Sequence, residues 1–184
     1  TLWGRGRWQV QSNTVERPAG SALRAEHEPA YVARVLHYWY SFKGGRDFAA
    51  ERTLFKDGSL LPWSAVFISY LMKTSGIGPD QFPPHESHWS YIRAILEAPN
   101  PRGFEALDAS ERVPEEGDLI CAPREAEPQR SKSFAQLQRM SRKEREQGQP
   151  FHCDLVLNVT PQAVEALGGN VHESVMLSVV ERDA

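Results

Sequence analysis

Apolar side chains recur at spacings of three and four between Ser21 and Phe42 (Ala30, Val32, Val35, Leu36, Trp39, Tyr40), which predicts an amphipathic helix stopped by Gly44 and Gly45. A second helix is predicted over Pro62–Lys73. Proline suits its first turn, Lys73 its last, and Gly76 its end. This stretch is apolar nearly all round, so it belongs between other elements rather than on a surface. Gly78–Pro84 reads as a loop and Glu86–Leu96 as a third, short helix closed by Pro99, Pro101 and Gly103. After Val113 the period changes. Gly117-Asp118 turns into a strand at 119–122, and further strands are predicted over His152–Val159, Ala163–Leu167 and Val175–Val180. Thr160-Pro161-Gln162 and Gly168-Gly169-Asn170 read as the turns between them. Helices first and a meander of strands afterwards implies an α+β fold with an antiparallel sheet.

Residues 1–20 carry glycines and Pro18 with little periodicity and read as an N-terminal arm. Residues 21–184 read as a single domain, as the length of 184 residues suggests. One segment interrupts the meander. Pro123–Pro150 holds seven basic and four acidic residues, with Phe134, Leu137 and Met140 at a spacing of three that predicts a short helix. A connection this long is either a solvated surface insertion or a lid or docking element.

Composition narrows the function classes. Apolar residues make up 40% and charged residues 24%, enough for a core and against global disorder. A net charge of −3 argues against a general nucleic-acid binder. No run of 18 apolar residues is present to span a membrane. The chain begins at Thr1 without a visible leader, so a removed leader is one reading of its start.

Three features carry candidate chemistry. Pro62-Trp63-Ser64 opens the apolar helix, placing Ser64 in its first turn, where the helix dipole and free N–H groups favour an anionic nucleophile or oxyanion. His152 opens a strand that can face that helix end. Asn170 or Asp154 can orient the imidazole; Asp154, two residues on, points to the same sheet face as His152. The plainer readings are a helix-start hydroxyl for Ser64, a sheet residue for His152 and a turn former for Asn170.

At these residues the sequence resembles a known group. Pro62–Ile77 is similar to the nucleophile helix of the papain-like NlpC/P60 and CHAP superfamily of peptidoglycan hydrolases. Gly117–Ile120 resembles that group's first strand, His152–Val156 its His-bearing strand, and Leu167-Gly-Gly-Asn-Val its third polar position. Within it, the chain most resembles the bacterial DUF2272 family. The resemblance covers residues 55–180. It implies a papain-like fold, no cofactor, a periplasmic or secreted location and hydrolysis of amide bonds in peptidoglycan stem peptides, by an endopeptidase or an amidase. Ser64 would attack, His152 would move the proton, and Asn170 or Asp154 would orient it. Ser64 stands where the superfamily carries Cys. It is therefore a working nucleophile, the mark of an inactive binding module, or an engineered replacement. A serine hydroxyl is far less acidic than a thiol, so it needs a true general base. An exported toxin paired with a cognate inhibitor is a further variant of the same reading.

Trp63, His85 and His88 are candidate substrate-binding residues near Ser64, with Trp63 also fitting a core position. His85 and His88 around Glu86 have the residue types of a zinc site, but no third ligand is secured and His-Glu-x-x-His is absent, so no metal is expected. Cys121 and Cys153 fall on consecutive strands. They are either buried thiols, the commoner outcome, or a cross-strand disulfide. Cys153 adjoins His152 and points to the opposite face, so it does not replace a missing cysteine nucleophile.

Overall fold

The computed structural model describes residues 7–11, 14–16, 26, 28–43, 55–56, 59–98, 103–124 and 132–182. Strands β1 (Arg7–Gln11) and β2 (Thr14–Glu16) are followed by helix α1 (Pro29–Lys43) and the short strands β3 (Phe55–Lys56) and β4 (Ser59–Leu60). Helices α2 (Ser64–Thr74) and α3 (His88–Glu97) come next. The rest comprises β5 (Leu119–Pro123), α4 (Phe134–Arg139), α5 (Arg142–Glu146), β6 (Phe151–Val159), β7 (Ala163–Val171) and β8 (Ser174–Glu181). β5 to β8 form an antiparallel meander, so the fold is α+β. Among the described residues the sheet order is β2-β1-β8-β7-β6-β5.

Within the segment read as an arm, β1 pairs parallel to β8 and β2 lies beyond it; its alternation was too short to register as strands. One expectation is corrected. Gly168-Gly169-Asn170 is no turn but the end of β7. The hairpin turns at His172-Glu173, whose φ values of 47° and 59° are both positive, as a two-residue primed turn requires. The two glycines serve close approach instead. A Cβ on Gly169 would lie 2.6 Å from Cβ of Phe67 in α2, and one on Gly168 would lie 2.2 Å from Oδ1 of Asp154.

The main core lies between α1, α2 and the sheet. Trp63, Val66, Ile68 and Cys153 are inaccessible, and Tyr38 of α1 packs its ring on Trp63, Phe67 and Tyr70. α2 is thus wedged between a helix and a sheet, as its apolar composition demands. Its N-cap is Trp63, so Ser64 is its first residue.

The described part of the basic insertion, residues 132–150, packs rather than floats. Ser133 with Gln136, and Ser141 with Glu144, form reciprocal capping boxes that start α4 and α5. Leu137 and Met140 are buried against Trp89 of α3, whose indole stacks on Phe151 and donates to the Arg145 carbonyl at 2.7 Å. Arg145 donates in turn to the Leu137 and Gln138 carbonyls at the end of α4. The insertion therefore clamps the helix that begins at His88.

Candidate functional site

Three backbone segments meet at one polar cluster. The start of α2 supplies Ser64, the first turn of α3 supplies His88 and Tyr91, and the paired strands β5 and β6 bring in Arg124, His152 and Asp154. Ser64 hydrogen-bonds through its hydroxyl to Nε2 of His88 at 2.7 Å. The other ring nitrogen, Nδ1, hydrogen-bonds to the hydroxyl of Tyr91, three residues on and therefore on the same helix face. A neutral imidazole has one donor and one acceptor. When Nδ1 donates to Tyr91, Nε2 accepts the Ser64 proton, the arrangement of a nucleophile and its base.

The ring of His152 meets that of His88 edge-on, with centroids 5.0 Å apart. Nδ1 of His152 accepts from the Arg124 guanidinium at 2.6 Å. Its Nε2 and Oδ1 of Asp154 are 2.8 Å apart but not aligned for a hydrogen bond, and among the described residues neither buried atom has another hydrogen-bond partner.

The cluster is graded in exposure. Ser64 and His88 are 4% and 5% exposed, the side chains of His152 and Asp154 are each 16% exposed, and Arg124 is open to solvent. Burial, then the charges of His152 and Arg124, pushes His88 down to about 3. His88 is therefore neutral throughout the physiological range, with its base form always present. Burial, with Asp154 nearby, raises the Tyr91 phenol, keeping it protonated.

The structure thus brings together Ser64, His88, His152 and Asp154. It puts His88, not His152, on the Ser64 hydroxyl. No hydrogen bond joins Asn170 to His152 among the described residues; Asn170 adopts a left-handed φ of 56° near the end of β7. Trp63 is fully buried and donates its indole N–H to Glu26 at 2.5 Å. His85 lies outside α3, so it shares no helix face with His88. It is exposed, and its backbone N–H and C=O both bond the Ser69 hydroxyl. Among the described residues no group of three His, Cys, Asp or Glu side chains could hold a metal ion. Cys121 and Cys153 stand directly opposite in the β5–β6 register and are joined as a disulfide. The bond ties Arg124, three residues past Cys121, to His152, the neighbour of Cys153.

A family model described as "Uncharacterized protein conserved in bacteria (DUF2272)" matches residues 26–184. The chain belongs to the DUF2272 family. No curated protein and no solved structure matches it. The DUF2272 match spans every residue of the polar cluster, from Ser64 to Asp154. His88 was expected near Ser64 as a substrate-binding residue, not as the partner of its hydroxyl, because nothing local links position 88 to position 64. Tyr91 and Arg124 escaped the sequence reading. The spacing of three from His88 to Tyr91 was a readable helix-face signal, and Arg124 was one of seven basic residues in its segment.

Proposed function

We propose that this protein is a serine-centred hydrolase of amide bonds, acting on bacterial peptidoglycan in the cell envelope. The hydrogen bond from Ser64 to His88 in the first turn of a buried helix carries the reading. His88 takes the Ser64 proton as the hydroxyl attacks the carbonyl, in the tautomer in which Nδ1 donates to the Tyr91 oxygen and Nε2 is left free to accept. A base of such low affinity for protons acts only if proton transfer accompanies attack. The first-turn N–H groups of α2 have no intrahelical acceptors and suit the oxyanion. His88 or His152 then returns the proton to the leaving amine, and water repeats the cycle to free the acyl group. The substrate class comes from the resemblance to peptidoglycan hydrolases. The Cys121–Cys153 disulfide supports an oxidising compartment.

The near-complete burial of Ser64 and His88 favours a second reading. In it, Ser64, His88 and Tyr91 form a satisfied structural chain, and the module binds wall peptide without cleaving it. Purified protein and its Ser64→Ala and Ser64→Cys variants, incubated with peptidoglycan and read by mass spectrometry, separate the two. The hydrolase reading expects products from the parent protein and none from Ser64→Ala. Equal release by both, or release by neither, would refute it. Release by Ser64→Cys alone would assign the polar cluster to a silenced cysteine-hydrolase site.

A further inference from the structure

Arg124 directly follows β5, is exposed, and stands at the outer edge of the polar cluster. Its guanidinium bonds Nδ1 of His152 at 2.6 Å. Guanidinium has five donors and no acceptor, so Nδ1 must accept. The proton of the neutral ring is then on Nε2, the nitrogen 2.8 Å from Asp154. With Arg124 in place, the one lone pair of His152 is occupied.

This is a poor use of a guanidinium. An imidazole nitrogen is a single neutral acceptor, whereas a carboxylate offers two charged ones in the geometry of the fork. Among the described residues no carboxylate pairs with Arg124; Asp154 lies at the far edge of the His152 ring. The cation is exposed, joined to the buried Ser64 through the His152 and His88 rings, and anchored through β5 by the Cys121–Cys153 bond.

We propose that Arg124 is the recognition residue for a substrate carboxylate, and that its capture of the carboxylate releases Nδ1 of His152. This rests on the hydrolase reading and adds a substrate class: peptides bearing a free carboxylate near the scissile bond. Release gives His152 an open lone pair beside His88. Neutralising Arg124 also weakens one of the charges that hold His88 low. The substrate thereby helps to prepare its own base, and a neutral analogue does not.

The test is made by binding, in the uncleaving Ser64→Ala form of the whole chain, with imidazole nitrogens labelled for NMR. The probes are N-acetyl-alanyl-alanine and its C-terminal amide. The carboxylate should bind at least about tenfold more tightly than the amide. It should move the His152 Nδ1 resonance toward that of an unbonded nitrogen. Arg124→Met, which keeps the length at an exposed position but has no N–H to donate, should erase the preference and show the moved resonance without ligand. Equal affinity for the two probes, or a preference that survives Arg124→Met, would overturn the proposal. Carboxylate-selective, Arg124-dependent binding in a chain whose parent form releases nothing from peptidoglycan would uphold Arg124 while removing the hydrolase reading.

Discussion

Acidification is expected to unfold this protein through His88 more than through any single surface charge. The imidazole is held neutral inside the fold at about 3, against an ordinary value of 6.5. Between those values the unfolded chain takes up a proton that the folded one refuses. The contribution is therefore intact above pH 6.5, is lost progressively as the pH falls, and levels off near pH 3. At about 1.36 kcal/mol per pH unit, the loss from pH 7 to pH 4 comes to about 3 kcal/mol. That is a large part of a typical domain's stability. Urea unfolding at pH 7, 5.5 and 4, with the disulfide intact, should show a midpoint falling by about 1–2 M from this group. Carboxylates add their own acid dependence, so the deciding quantity is the difference from His88→Gln, which cannot titrate. His88→Gln should start less stable at pH 7 and lose about 3 kcal/mol less on going to pH 4. Parallel losses in the two proteins would refute the account of His88 as a buried neutral base.

Further outcomes are expected from the same geometry. Gly169→Ala puts a methyl 2.6 Å from Cβ of Phe67, so α2 must move off the sheet, costing about 1–3 kcal/mol by thermal unfolding; under the proposed hydrolase function the shift of Ser64 also lowers turnover. Trp89→Ala removes the anchor between α3 and the insertion, and about 3–5 kcal/mol should be lost, with easier proteolysis within 132–147. Reducing the Cys121–Cys153 bond opens a loop of sequence separation 32. Chain entropy puts this at about 3–4 kcal/mol, and calorimetry with and without reductant measures it.

Much of this molecule was legible along the chain because it depends on local periodicity. The apolar run after Pro62, the amphipathic repeat before Gly44 and the alternating strands after Val113 each announce how much of their surface must be buried. Ser64 at a helix start and Asp154 on the same side of a strand as His152 follow from the same geometry. Element ends were less legible. Gly168-Gly169-Asn170 looked like a turn because Gly and Asn usually make one, yet tertiary packing used the glycines to let β7 touch Phe67 and Asp154. The turn moved to His172-Glu173, residues with no strong turn signature.

Three matters were decided only by the tertiary structure. β1 joins β8 across most of the chain's length, and no local pattern encodes a pairing that distant. The register of β5 on β6 sets Cys121 against Cys153; a shift by one residue would separate them. Above all, two helix starts 24 residues apart converge so that His88, not the strand histidine, takes the Ser64 hydroxyl. Sequence determines which residues can do chemistry and which face of an element they occupy. Which of them meet depends on how the elements dock, through contacts spread over the whole core.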